Sequence, residues 1–250
     1  MRRVMWWFMC IWPAGALACE RPVCAIDPSE LSLARLVDFE NLPSGFGPGR
    51  LYRDVIEADD VSFGEHLIGQ ARDAEGDYDR IDGPAMPPLR LGRAPRGELL
   101  SITRVGTSQV LNGQGPAGFP KREAEGEGAI AILFAHDQAA LSFDVVGGEG
   151  GTGFVLFLAR DGTVLDRHDL PDLREDIRAF HTPGMVERIA ALIVMNDDPE
   201  GIAIDNLRYD LIRQMGAIGL GGAGRASYVL AHAVTIPVPP PGPATANPPR

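Results

Sequence analysis

From Val37 onward the chain is written as short apolar runs separated by glycine, asparagine and aspartate. Residues 129–135 (AIAILFA) set Ile130, Ile132 and Phe134 at alternate positions, and residues 141–145 (LSFDV) put Leu141, Phe143 and Val145 on one face with Ser142 and Asp144 on the other. A period of two predicts strands with one buried face. Residues 154–159 (FVLFLA) are apolar throughout and predict a central strand. Asp161-Gly162 joins it to residues 163–165 (TVL) as a hairpin, because both turn residues tolerate positive φ. Residues 189–195 (IAALIVM) and 201–209 (GIAIDNLRY) continue the series across Asn196-Asp197-Asp198-Pro199-Glu200, which is turn chemistry throughout.

Helical signals are few. Residues 25–36 offer one turn or more behind Asp27-Pro28-Ser29-Glu30, where an Asp or Ser cap precedes an acidic first turn, and residues 173–180 (LREDIRAF) form a second short candidate. Strands with turns every 8 to 12 residues or so predict an all-β antiparallel sandwich, of jelly-roll form in preference to a barrel. Residues 71–97 are charged and proline-interrupted, which predicts a long surface excursion with at most an edge strand. After Leu211 the periodicity dissolves into Gly and Ala and then into Ile236-Pro-Val-Pro-Pro-Pro-Gly-Pro, the composition of an extended tail that packs no core. Gly219-Leu-Gly-Gly-Ala-Gly224 matches G-x-G-x-x-G in letters but lacks the strand before it and the helix after it that phosphate binding requires, so it reads as linker.

The amino terminus has a different character. Arg2 and Arg3 precede an apolar run at residues 4–12 (VMWWFMCIW), and Ala16-Leu17-Ala18 provides small residues three and one before a cut. That is the layout of a secretory signal peptide, and it is too short to span a bilayer. The expected organisation is therefore a signal peptide at 1–18, an N-terminal segment with a cysteine pair at 19–36, a β-sandwich at 37–211 and a flexible tail at 212–250. Cys19 and Cys24 would close a small disulfide loop in an oxidising compartment; the other reading makes Cys19 the lipid-bearing first residue of a lipoprotein, although Ala16 stands where such signals carry Leu.

Composition narrows the function. The 250 residues are 45% apolar and 23% charged, ordinary for a globular protein, with a formal charge of -11 that becomes -13 once Arg2 and Arg3 are removed. The excess of acid over base argues against a phosphate-reading surface, so no nucleic-acid partner is expected; with Lys121 the one lysine, nearly all the positive charge is arginine. No run of 18 apolar residues supplies a transmembrane span.

Three stretches carry a resemblance: Val37-Asp-Phe-Glu-Asn-Leu-Pro43, Val61-Ser-Phe-Gly-Glu-His-Leu-Ile-Gly-Gln70, and Asn196-Asp-Asp-Pro-Glu-Gly-Ile-Ala-Ile-Asp-Asn-Leu-Arg-Tyr209. With Gly126–Phe134 and Phe143–Gly148 between them, residues 37 to 211 resemble a family of secreted bacterial β-sandwich proteins without an assigned reaction, many carrying a PEP-CTERM type sorting anchor. The resemblance implies a sandwich like that of carbohydrate-binding modules and a place outside the cytoplasm, secreted, periplasmic or at the cell surface. The apolar span and basic end of the anchored members do not follow the Pro-rich stretch, so anchoring by that route is not expected.

Catalytic chemistry finds no diagnostic spacing: there is no G-x-S-x-G elbow and no H-E-x-x-H. His66, His136, His168, His181 and His232 are scattered singly. Of these, His168 lies between Asp166 and Asp169, either a histidine-carboxylate pair or, as the favoured reading, a solvated strand end. Calcium suits an acidic extracellular sandwich. In the carbohydrate-binding sandwiches that this family is similar to, a structural calcium ties the first strand to the last, which implies Glu40 and Asp205 with Asn206 as ligands; the competing reading is that these acids are solvated or cap turns. The leading expectation is a non-catalytic glycan-binding or adhesive surface protein, its partner a polysaccharide or cell-surface component. Contacts would come from the loop at residues 147–153 or the turn at 196–201, unless these are merely flexible turns. A jelly-roll glycoside hydrolase or lyase, and a purely structural envelope protein presenting its Pro-rich tail, are the alternatives.

Overall fold

A computed structural model describes residues 19–93 and 99–212. The expected signal peptide at 1–18 and the expected tail, with its G-x-G-x-x-G letters, lie outside the described residues. Strands are numbered in chain order. One antiparallel sheet contains β1 (Cys24–Ala25), β2 (Leu33–Val37), β3 (Arg50–Leu51), β8 (Leu100–Val105), β9 (Ser108–Gly113), β11 (Ala140–Gly147), β14 (Asp176–His181) and β16 (Ile202–Leu211). The second contains β4 (Ile56–Ala58), β5 (Val61–Gly64), β10 (Ile130–Gln138), β12 (Gly153–Leu158), β13 (Val164–Leu170) and β15 (Ile189–Asn196). A separate hairpin pairs β6 (Ala71–Glu75) with β7 (Tyr78–Asp82).

The first sheet runs β1-β14-β11-β16-β9-β8-β3, with β2 also on β16, and the second runs β13-β12-β15-β10-β5-β4. Strand alternation explains why they stack. Leu141, Phe143 and Val145 of β11 and Ile202 and Ile204 of β16 turn inward to meet Phe63, Ile132, Phe134, Val155 and Phe157 of the facing sheet in one core. The fold is thus an all-β antiparallel sandwich, as the alternation predicts. Phe39 follows β2 with φ of 58°, a left-handed backbone that a bulky residue adopts at a cost of order 1–3 kcal/mol. Its buried ring packs edge-on against Phe63 at 5.2 Å, so core contact holds the backbone there.

Two expectations are corrected. The excursion, described as far as residue 93, contributes a β-hairpin and a wall of the structure. Leu67, Ile81, Ala85 and Leu89 form a second core with Phe154, Leu156, Leu158, Ile193 and Met195 on the outer face of the second sheet. That cover is why β12 and β15 are buried at every position, and why their sequences lack alternation. The helical candidates also fail. Asp27 does cap a turn, its Oδ1 accepting from the Ser29 N–H at 2.8 Å, but the turn is a single 3-10 turn at Pro28–Glu30 and the chain leaves it to form β2. Residues 176–181 become β14, paired on one side with β11 and on the other with β1. Eight residues carry too little helical propensity to outweigh ladders on both edges. Among the described residues no helix is long and apolar enough to cross a membrane.

Candidate functional site

Because Phe143, Val145 and Ile204 point into the core, Asp144 of β11 and Asp205 of β16 emerge on the opposite face of the first sheet, where they are register partners. The ladder slips between Ser142 and Asp144, and across the slip Asn206 adopts φ of 48°. A bulge of this kind re-aims side chains. Asn206 donates its Nδ2–H to Asp144 Oδ2 at 2.8 Å, Arg208 donates from Nη1 to Asp144 Oδ1 at 3.2 Å, and the Asn206 backbone N–H donates to Asp205 Oδ1 at 2.6 Å.

Asp205 is 6% exposed. Its pKa is pushed up to about 6 by burial, against the pull of the Asn206 N–H and with the negative charges of Asp144, Glu40 and Asp38 adding to the rise. Asp144 has Arg208 and Asn206 as donors to its two oxygens, whereas Asp205 has the one amide. The two carboxylates therefore differ in how well their charged forms are satisfied.

The pair lies in a groove. A concavity of about 390 Å³ is lined by Asp144, Asp205, Val110, Glu175, Asp176 and Ile177. It adjoins one of about 730 Å³ lined by Leu31, Leu33, Ser142, Arg208 and Ile212, and the two share Asp176 and Ile177. Ile177 and Ile212 are 41% and 51% exposed, which makes part of the lining aliphatic and open to solvent. A polar cleft of about 330 Å³ lies elsewhere, at the bulge in β10, with Arg35, Asp60, His136, Asp137 and Asp210 among its lining residues. There Arg35 pairs with Asp60 and Asp210, and Arg160 with Asp137.

The residues expected to hold calcium fall close to it but are engaged. Glu40 comes near enough to Asp205 to raise its pKa, yet Oε1 of Glu40 accepts the Gln109 N–H at 2.8 Å and its carbonyl accepts Gln109 Nε2–H at 2.7 Å. Asn206 is turned to Asp144. Among the described residues no group of three or more His, Cys, Asp or Glu side chains has the arrangement that holds a metal.

The two loops expected to make contacts are locked together. Asp198 is fully buried, and its carboxylate accepts N–H bonds from Gly151 at 2.7 Å, Glu149 at 2.9 Å and Glu200 at 3.1 Å. The Asp197 N–H donates to Thr152 O at 2.6 Å. Asn196 completes the arrangement, accepting from Asp198 N–H and donating to Gly126 O. A Cβ at residue 151 would stand 2.5 Å from the Asp198 Cα, so only glycine lets the loops approach this closely. These segments are braced turns and not loose ones.

His168 is likewise no solvated strand end. It is 8% exposed, its ring edge-on to Phe157 and Phe180, with Nε2 2.7 Å from Val23 O and 3.5 Å from Asp166 Oδ2. Asp166 in turn receives Arg21 in a two-pronged ion pair and the Val23 N–H. Burial raises its pKa, but the hydrogen bonds from Arg21, Val23 and Arg167 outweigh that and hold it below the usual carboxylate range. The anchor fixes the loop closed by the Cys19–Cys24 disulfide, whose Cα atoms are 6.1 Å apart. The period-two pattern places Asp144 on the outward face but gives no sign of its importance, because its partner is on a strand remote in sequence; Arg208 carries no sequence signal, and Asp198 none beyond its place in a turn.

What the fold and groove define is an antiparallel β-sandwich with a pair of acids, one of them buried, on the outward face of one sheet. The chain matches no protein-family model and no curated protein.

Proposed function

We propose that the protein is a non-catalytic extracytoplasmic binding module, glycan-binding or adhesive, that holds an extended polysaccharide chain in the groove across β14, β11 and β16. The observation that carries this reading is the lining: carboxylate acceptors (Asp144, Asp176, Asp205) and the Arg208 guanidinium stand beside aliphatic surface from Leu31, Leu33, Ile177 and Ile212. Sugar chains present the same alternation, hydroxyls at their edges and C–H faces between them, and planar carboxylate and guanidinium groups pair with two neighbouring hydroxyls at once. All three tryptophans lie within residues 1–18, so the site has no indole platform. That favours soluble, bendable chains over flat crystalline surfaces. A place outside the cytoplasm is supported by the leader-like residues 1–18 and by the Cys19–Cys24 bond, which persists in oxidising compartments.

Glycan-array screening followed by calorimetry tests the reading. Binding should fall at least tenfold in Arg208→Ala and Ile177→Ser; failure of every polysaccharide to bind, or unchanged affinity in both variants, overturns it. A second reading, a glycoside hydrolase, draws on the unlike environments of Asp144 and Asp205, the pattern of a general acid beside an ionised partner. Release of reducing ends that disappears in Asp205→Asn would replace the binding module with the enzyme.

A further inference from the structure

The polar cleft at the bulge in β10 holds one group whose bonding is unfinished. The cleft opens where the register between β10 and β15 jumps from Leu133 opposite Ala191 to Gln138 opposite Ile189, which takes residues 134–137 out of that ladder. Gln138 fixes the wall: its Oε1 accepts the Asp210 N–H at 2.9 Å, and its Nε2–H goes to His136 O at 2.9 Å. The charged groups already have partners. Arg35 stands 3.5 Å from Asp60 and 3.9 Å from Asp210, Arg160 holds Asp137 at 2.7 Å, and Glu187 is engaged as well. Tyr209 differs from them. It lines the cleft and is 2% exposed, and its Oη is buried without a hydrogen-bond partner. The ring packs on Phe134 with centroids 5.5 Å apart, which fixes the phenol, and Arg35 of the cleft wall is its register partner on β2. The Asp60 main-chain N–H reaches toward the oxygen, but that is a donor, and the hydroxyl proton needs an acceptor.

We propose that this cleft is a second binding site, for a neutral monosaccharide, with the Tyr209 hydroxyl donating to one sugar oxygen and Arg35, Asp60 and Asp210 holding neighbouring hydroxyls. An unmatched neutral hydroxyl among paired charges selects an uncharged, oxygen-rich ligand. A cation would have to displace Arg35 from Asp60 and Asp210, and an anion would meet the carboxylates of Asp60, Asp137, Glu187 and Asp210. A sugar hydroxyl accepts and donates at once. It can take the Tyr209 proton and give its own to Asp60 or Asp210, whose contacts with Arg35 are longer than a normal hydrogen bond. The volume, about 330 Å³, is at the small end of ligand clefts and suits one sugar unit better than a chain. Among the described residues the cleft shares no lining residue with the groove, so either can bind without the other.

Titration of the full chain with glucose, galactose and mannose, followed by the NMR signals of His136 and by thermal unfolding, tests this, with acetate and ethanolammonium as charged probes. At least one sugar should bind saturably and raise the Tm. Tyr209→Phe should weaken that binding by about tenfold, the loss of one hydrogen bond from a buried group. The same variant without sugar should melt at the wild-type Tm or above it, because it removes a hydroxyl that has no partner in the protein. A tyrosine with a purely structural role would lose stability and keep the sugar. Ile177→Ser, in the groove, should leave monosaccharide binding unchanged. The proposal is overturned by the absence of saturable sugar binding, as when water alone satisfies Tyr209. Unchanged affinity in Tyr209→Phe, loss in Ile177→Ser alone, or tighter binding of either charged probe than of any sugar also overturns it. Should Tyr209→Phe fail to fold, Arg35→Gln, a change at a side chain 48% exposed, decides in its place: weaker sugar binding supports the site and unchanged binding overturns it.

Discussion

Asp144 and Asp205 stand directly opposite each other on adjacent antiparallel strands, on the same face of the sheet. Like charges in that relationship repel. Here the repulsion is divided unequally, since Asp144 has Arg208 and Asn206 as donors while Asp205 sits with a pKa of about 6 against an ordinary 3.8. Between those two values the folded protein holds a proton at this site that the unfolded chain has lost. Stability contributed by Asp205 is therefore full below the lower value and declines as pH rises through the upper one. Asp205→Asn should be about 1–2 kcal/mol more stable than wild type at pH 7, with the advantage vanishing near pH 4. Urea midpoints across that range measure it, and a pH-independent difference would show that Asp205 is not strained.

The Asp198 carboxylate holds three backbone N–H groups from two loops. Asp198→Ala leaves those donors buried and unmatched and should cost about 2–4 kcal/mol, with Asp198→Asn losing less. Hydrogen exchange at Glu149, Gly151 and Glu200 should accelerate in the alanine variant while the amides of β10 stay protected.

Ile81, 2% exposed, is the hairpin's main anchor on the second sheet. Ile81→Ala should cost about 2–4 kcal/mol through lost burial and the cavity left behind. A surface excursion would barely register the change, so equilibrium unfolding separates the two descriptions.

Non-reducing digestion of the protein purified from an oxidising compartment, followed by mass spectrometry, should recover a peptide with Cys19 and Cys24 joined. A thiol in this bond is not free for a thioether, and a diacylglyceryl mass on Cys19 would mean that the lipoprotein route prevails. Opening so short a loop by Cys24→Ser should cost about 2 kcal/mol or less.

Much of the fold is legible in the sequence because its strands obey period two: β10, β11 and β16 show their inward residues plainly, and Asp161-Gly162 marks its own hairpin, with Gly162 at φ of 86°. The cover over the second sheet is not legible. Ile81 and Leu67 are isolated apolar residues among charges, and only contact with β12 and β15 makes them core. β14 is hidden for a related reason, since LREDIRAF suits a short helix and becomes a strand only through its neighbours β11 and β1. Of the candidate site, Asp205 and Glu40 are singled out only through the resemblance, and they do lie within electrostatic reach of each other. That Gln109 would occupy Glu40 is hidden, because nothing local links residues 40 and 109.

The ten residues of β16 share one edge between two partners, Ala203 and Ile204 with β9 and Leu207–Leu211 with β2, while β11 takes the other edge. The last of the described strands thus closes the sheet, and it must find the second. Pairings between distant parts of a chain form slowly because the intervening loop must close first. Until residues 202–211 are made, β2 has no strand to pair with and β11 is not joined to β9, so this sheet can be completed only after that strand is in place.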